Sequence, residues 1–410
     1  MTDSDSLLVL NAGSSSLKFS VFQAADPEWS LAARGQIEGI GTSPQFSARD
    51  GAGARLEVPR VDGAVHDQRS ALEALATWLR ARFSSARLLG VGHRVVHGGA
   101  GFAGPVVVTP SVLDQLRRLV PLAPLHQPFN LAAIDAVAER LPDVPQVACF
   151  DTAFHRGHRD VVDLVPLPID IRRAGVQRYG FHGLSYEYIA SVLPAIAPEV
   201  ASGRVIVAHL GSGASLCALT NGRSVDSSFG FTALDGLCMG TRPGTLDPGV
   251  VLHLFQGLGL SAKEVETMLY KQSGLLGVSG ISNDMRDLLA STDPAARLAI
   301  DYFVFRTAKE IGALAAVLQG VDAMVFTAGI GEHSADLRER ICAASSWLGI
   351  EVDPQANAQH GPWISTARSP VSVWVIPTNE ELMIARHTRV LLDKAGADHD
   401  HATNRHETVH

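Results

Sequence analysis

Cysteine is scarce and scattered, with only Cys149, Cys217, Cys238 and Cys342 in 410 residues and no CxxC pair among them. That spacing argues against a zinc cluster or a disulfide framework and predicts four reduced, buried thiols. Lysine is rarer than usual: there are five, and none follows a glycine, so the Gly-Lys-Ser/Thr phosphate loop is absent. Basic residues number 34 against 42 acidic ones, a net charge of -8, which is the wrong sign for a nucleic-acid partner. No uninterrupted apolar run is long enough to span a membrane, since residues 311–331, the nearest approach, contain Gln319 and Asp322. The opening MTDSDSLLVL lacks the basic start of a secretory signal. The expectation is a soluble, cytoplasmic protein with neither membrane nor nucleic acid as partner. HExxH and GxSxG are absent as well. The single GxGxxG match, Gly99 to Gly104, leads into Pro105 and the β-rich Val106–Thr109 rather than a helix, so it does not read as a dinucleotide turn.

What is present suits a globular enzyme. Hydrophobic residues make up 46% and charged ones 19%, ample for sizeable cores, and the length predicts two or three domains. Buried-strand runs fall at Leu7–Asn11, Leu17–Phe22, Leu88–Val96, Val144–Phe150, Val205–Leu210, Ala323–Thr327 and Val371–Pro377. Helical periodicity covers Ser70–Phe83, Asn130–Leu141, Pro294–Gln319 and Glu380 to about Lys394, and Ser261 with Glu264 forms a capping box opening a helix to about Lys271. Interleaved strands and helices give an α/β class. LVLNAGSSSLKF at 8–19 and IVAHLGSGASLCAL at 206–219 echo one another, each a strand, a Gly/Ser turn and a second strand, which suggests two related lobes with a ligand cleft between them. The polar stretch from Ala395 holds four of the 16 histidines and reads as a disordered tail.

Three small-residue turns follow buried strands: NAGSSSLK, HLGSGAS and TAGIGEH. Bare backbone N–H groups, hydroxyls and the one cation, Lys18, suit phosphate. Between them lie charged residues in apolar or glycine-rich surroundings: Arg94 in GHRVVHGG, Asp151 in FDTAFH, His182 in RYGFHG, Arg242 in MGTRPGTLDPG, and Glu380 with Glu381 in PTNEE. Each alone reads as a hydrogen-bonded structural group. Five together favour a site.

These segments, with APLHQP, GFTALDGLCMGTRPGTLDPG, NDMRD, FTAGIGE and IPTNEELMIARHT, resemble in sequence and order the acetate kinase family of acyl-phosphate kinases, from about residue 7 to 390. The resemblance implies a two-lobed actin/hexokinase/Hsp70-like (ribonuclease H-like) duplicated α/β fold with an active-site cleft between the lobes. Residues 1–151 would form the N-terminal lobe, joined by a returning helix at 382–394. Residues 152–381 would form the nucleotide-binding lobe and 395–410 the tail. It also implies a homodimer and the reversible reaction ATP + acetate = ADP + acetyl phosphate, with Mg2+ (or Mn2+) required. Arg94, Asp151, His182 and Arg242 match the catalytic positions. Arg94 would also hold the carboxylate, with Val96, Leu125, His126, Phe181 and Ala233 around the acyl group. Lys18, Ser14, Ser16, His209, Leu210, Gly211, Ser212, Gly213, Asp284, Met285, Arg286, Gly329, Ile330, Gly331, Glu332 and His333 match the phosphate and nucleotide positions, and Asn11 with Glu380 the metal. Because a carboxylic acid is already ionised at neutral pH, Asp151 is expected to orient Arg94 or a metal-bound water rather than to act as a base.

The chain departs from the family pattern at several places: Ser212 for Asn in HLGNG, Leu184 and Tyr186 for Thr and His in GFHGTSH, Ala233 for Pro in GFTP, and His333 for Asn in GIGEN. A propionate kinase differs only in substrate and is the nearest rival. A sugar kinase of the same superfamily would need a base and a polar pocket. A nucleotide-switching module would not need Arg94, His182 and Arg242.

Overall fold

The computed structural model describes residues 5–24 and 29–406. The chain divides into two compact units, Met1–Ala153 with Glu380–His410, and Phe154–Asn379.

In the first unit, β1 (Asp5–Ala12), β2 (Ser16–Ala24), β3 (Trp29–Glu38), β4 (Gln45–Asp50), β5 (Arg87–Val95), β6 (Val106–Val107) and β7 (Gln146–Phe150) form a seven-stranded sheet in the order β4-β3-β2-β1-β5-β7-β6. β1, β5 and β7 run parallel, and the flanking strands are antiparallel. The parallel strands need cover on both faces, and Leu7, Leu8, Val9 and Leu10 of β1 are all buried. One cover is α1 (Gln68–Arg82) and α2 (Gln127–Arg140), which pack Leu75, Trp78, Ala133 and Val137 onto Leu8, Leu10 and Val91. The other is the C-terminal helix, Glu380–His406. A Cβ at Gly90 would stand 2.7 Å from Leu392, and one at Gly92 2.6 Å from Ile384, so β5 is bare where this helix presses on it.

The second unit has five strands, β8 (Arg204–Leu210), β9 (Ala214–Thr220), β10 (Arg223–Ser227), β11 (Ala323–Thr327) and β12 (Ser372–Val375), in the order β10-β9-β8-β11-β12. Here β8, β11 and β12 are parallel and β8-β9-β10 antiparallel. Its helices include α3 (Gly183–Ile196), α4 (Met285–Ala290), α5 (Pro294–Leu318), α6 (Ala328–His333) and α7 (Ala335–Ala344). The succession β3-β2-β1-β5-β7 is thus repeated as β10-β9-β8-β11-β12. The turns that echo each other in sequence, after β1 and after β8, are topologically equivalent.

Three features differ from the sequence reading. β3 and β4 escape it, because their alternating small and charged residues carry little apolar signal. After the capping box at Ser261 the α-helix ends at Thr267 and continues to Gln272 as a π-turn. The C-terminal helix runs on to His406 instead of stopping at Lys394, so a disordered tail from 395 is corrected over that stretch. Polarity there suggests disorder, whereas Ala395, Ala397 and Ala402 favour helix. Residues 407–410 of the expected tail lie outside the described residues.

Candidate active site

In the first unit, the carboxyl ends of the parallel strands present Asn11 (β1) and Arg94 (β5), with Asp151 immediately after β7. Ligands of open α/β sheets gather at such ends. Arg94 donates a fork to Asp151, Nε to Oδ1 at 2.9 Å and Nη2 to Oδ2 at 2.6 Å. Its Nε also lies 3.7 Å from Glu380, the first residue of the C-terminal helix. Burial pushes the Glu380 carboxyl up to about 7; Asp151 and Glu381 push the same way, while Arg94 and Lys18 oppose them. Lys18 pairs across the β1–β2 hairpin with Asn11 and is exposed, as is Ser14, while Ser16 is partly buried.

The chain after β5 is held from below. Asn130 Oδ1 accepts from Val96 N at 3.0 Å while its Nδ2 donates to Ala12 O at 2.7 Å, tying the ends of β5 and β1 to α2. Gln127 both accepts from and donates to the His97 backbone, and Thr152 Oγ1 accepts from Gly98 N at 3.1 Å. Val96 is buried, and Leu125 and His126 are partly buried just before α2, with His126 as its N-cap residue.

In the second unit His182 sits at the N-cap of α3 with φ 58°, a left-handed conformation that a residue with a side chain adopts only at a cost. Its Nδ1 lies 2.8 Å from Ser215 Oγ, and Tyr186 OH lies 2.5 Å from the same oxygen. His209 stacks on His182 with centroids 4.0 Å apart, and its Nδ1 meets Ser185 Oγ at 2.8 Å. Arg242 enters from the Gly/Pro loop. A Cβ at Gly213 would stand 2.8 Å from Arg242 Nη2 and 3.3 Å from His182 Nε2, so the glycine turn after β8 leaves room for both side chains. Arg242 Nη1 donates to Ala233 O at 2.7 Å, and among the described residues no carboxylate forms an ion pair with it. Burial lowers its pKa to about 10, so it stays charged at neutral pH. A largely dehydrated guanidinium without a counter-charge is a seat for an anion. Phe181 is buried edge-to-face against Phe229 at 5.7 Å, and its carbonyl is bonded by His155 Nε2.

A cavity of about 460 Å³ lies beside these groups in the same unit, lined by Gly211, Ser212, Asn283, Asp284, Met285, Arg286, Leu289, Gly329, Ile330, His333 and Ser334. Eight of the residues expected to hold nucleotide are therefore together. His209, Leu210, Gly213, Gly331 and Glu332 do not line it. Leu210 and Gly331 are buried under it. Glu332 serves the backbone instead. Its Oε1 accepts from Ala328 N at 2.8 Å and Thr378 N at 3.1 Å, clamping the β11–α6 turn, where Ala328 has φ 65°. Asn283 opens the NDMRD segment that the sequence singles out, though without a role of its own, while Leu289 and Ser334 lie just outside NDMRD and TAGIGEH, within one turn of them. Ser215 closes the HLGSGAS turn, but neither it nor Ser185 receives a role from the sequence, because nothing in a serine's sequence context tells which histidine its hydroxyl will meet. Asp284 is pulled down to about 2, chiefly by the hydrogen bond from the exposed Arg286.

The Acetokinase family model matches residues 6–386. The chain belongs to the acetokinase family. It is 54% identical over 396 residues to the acetate kinase of Rhodopseudomonas palustris (strain ATCC BAA-98 / CGA009), covering 95% of this chain and 99% of the relative. The crystal structure of a propionate kinase from Francisella tularensis subsp. tularensis SCHU S4 superposes with TM-score 0.87 at 36% identity, covering 93% of this chain and 98% of that one. Porphyromonas gingivalis acetate kinase gives TM-score 0.84 at 37% identity, covering 95% and 100%. Likeness to these acetokinase structures bears out the actin/hexokinase-like α/β fold expected from the sequence. The chain's departures from the acetokinase motifs fall in defined places. Ser212 and His333 are exposed at the cavity, Leu184 is packed in the core, and Ala233 offers its carbonyl to Arg242. Tyr186 is fully buried against Ser215.

Proposed function

We propose that the chain transfers the γ-phosphoryl group of ATP to acetate, forming ADP and acetyl phosphate, and runs the reverse reaction as well. The observation that carries this reading is the pairing of Arg242 with His182 across Gly213 next to the 460 Å³ cavity. Arg242 Nη2 and His182 Nε2 face the same space there, and among the described residues no carboxylate pairs with Arg242. Phosphoryl transfer is catalysed chiefly by positioning and by stabilising the charge on the transferring oxygens. Arg242 and His182 would meet that charge, with the nucleotide held along Gly211, Ser212, Asp284–Arg286 and Gly329–Ile330. Lys18, Ser14 and Ser16 would receive phosphate from the first unit. Arg94 would hold the acetate carboxylate, with Val96, Leu125 and His126 of the same unit about the methyl group. Asp151 takes both inner guanidinium positions of Arg94 and so fixes the direction of its remaining N–H groups. It needs no proton transfer for that, since acetate arrives ionised.

Among the described residues no three His, Cys, Asp or Glu side chains cluster to hold a metal by themselves. That fits magnesium, which binds few protein oxygens and keeps waters and phosphate oxygens. The donor set fits too: Glu380, Glu381 and Asp151 outnumber the cations Arg94 and Lys18, and burial, with Asp151 and Glu381 adding to it, drives Glu380 toward neutrality. Glu380 and Asn11 would hold the ion, directly or through water, and it would neutralise charge on the ATP phosphates. A cytoplasmic homodimer is the assembly and location that go with this reading.

The decisive experiment supplies purified protein with ATP, magnesium and hydroxylamine and scans formate, acetate, propionate and butyrate. Acetyl hydroxamate in excess over the others is the expected product. A larger yield from propionate would make the chain a propionate kinase, and acyl hydroxamate from none of the four would remove the kinase reading.

A further inference from the structure

Ser215 carries one hydroxyl hydrogen, is fully buried, and stands between two partners. His182 Nδ1 is 2.8 Å from its oxygen and Tyr186 OH 2.5 Å. A serine hydroxyl can donate only once. If Tyr186 donates to Ser215, the Ser215 hydrogen points at Nδ1, which must then be an acceptor. The ring hydrogen of neutral His182 is forced onto Nε2, the atom that shares the space over Gly213 with Arg242. If instead Nδ1 carries the hydrogen, Nε2 turns a lone pair toward any anion seated there, and the site loses one of its two donors. The same chain of hydroxyls also fixes the ring plane, together with the stacking on His209 at 4.0 Å. His182 itself is held in a left-handed backbone conformation.

We infer that Tyr186 is a positioning residue: through Ser215 it holds His182 in the Nε2–H tautomer, facing the phosphoryl group beside Arg242. Tyr186 is one of the positions at which the chain departs from the family motif, which has histidine there. A phenol is a donor at any pH below about 10, whereas an imidazole at the same place changes its donors near pH 6.5. The tyrosine therefore removes a titrating group from the relay. This inference rests on His182 acting on the transferred phosphoryl group.

The test is a double-mutant cycle in kcat with Tyr186→Phe, His182→Gln and the pair, preceded by the acyl hydroxamate assay on the unmodified protein. Tyr186→Phe keeps the ring volume, and a matching thermal melt reports that the fold survives. A lost hydrogen bond worth about 1 kcal/mol corresponds to roughly fivefold in rate. The expected result is a fall in kcat of about fivefold with the KM values for ATP and acetate nearly unchanged, and no further fall when the change is made on His182→Gln. Tyr186→His, whose imidazole can also donate to Ser215, should recover turnover relative to Tyr186→Phe. In 15N-histidine spectra, His182 should show the Nε2–H tautomer in the unmodified protein and a mixture in Tyr186→Phe. Equal kcat in Tyr186→Phe, an additive fall in the double variant, or an Nδ1–H tautomer in the unmodified protein would each overturn the relay. Failure of the unmodified protein to make acyl hydroxamate would instead remove the kinase reading on which it stands.

Discussion

At the scale of single residues, the chemistry depends on charges that the fold leaves half-answered. Arg242 is partly enclosed and has only a carbonyl for company among the described residues, so its free energy improves when an anion arrives. Arg242→Ala is expected to lower kcat by roughly 10²–10³-fold, the usual cost of one donor to a developing oxyanion. ATP affinity by calorimetry should change little, because the 460 Å³ cavity is lined by other residues. Retention of full turnover would show that the site has been assigned to the wrong arginine. Asp151 is the opposite case, a carboxylate wholly committed to Arg94 through two bonds. Asp151→Asn keeps one acceptor and loses the other along with the charge. Turnover should fall at every pH from 6 to 9, with a raised KM for acetate. A recovery of activity as pH rises would point to a base instead.

At the scale of elements, short helices and turns are held by polar side chains that lie outside the turn they fasten. Arg338 of α7 is fully buried and donates to Gly331 O and Glu332 O, both at 2.9 Å, and to Asn357 Oδ1 and O at 2.8 and 2.7 Å. It thus gathers the carbonyls at the end of α6, the six-residue helix whose start lines the nucleotide cavity. Arg338→Met would leave these acceptors dry. The expected cost is about 3 kcal/mol in denaturant unfolding, with a higher KM for ATP and an unchanged KM for acetate. Arg338 also illustrates the limit of what the chain shows in advance. The capping box of Ser261 and Glu264 is legible because both partners lie within one turn. So are the strands of contiguous apolar residues and the Gly/Ser turns after them. The Arg338 clamp, the Glu332 clamp on Thr378 and the Asn130 tie between β1 and β5 are not. Each joins residues more than one helical turn apart, from 6 positions between Arg338 and Glu332 to 118 between Asn130 and Ala12, and a polar side chain carries no periodic signal of its partner. The left-handed His182 is hidden similarly: it opens α3 without a side-chain cap, in a run that contains Gly180 and Gly183.

At the scale of the whole molecule, buried histidines set the response to acid. Burial lowers His93 to about 4 and His155 to about 3. His93 Nε2 meets Gln146 Oε1 at 2.7 Å, while Ser224 and the Phe181 carbonyl occupy the two nitrogens of His155. Both pKa values lie below the unfolded value of about 6.5, so the unfolded chain binds more protons between those limits. Stability is therefore complete above pH 6.5 and falls as pH drops through 4. Thermal melts from pH 7.5 to 4.5 should decline accordingly, and His93→Gln should flatten the decline even if it lowers the midpoint at pH 7.5. An unchanged slope would exclude His93 as a source. The C-terminal helix has a consequence of another kind, in the order of synthesis. The strands of the first unit are made first, yet Gly90 and Gly92 stay uncovered until Ile384 and Leu392 have been translated. The first unit therefore cannot close this face of its sheet until the end of the chain has been made, so the last-made residues complete the first-made core.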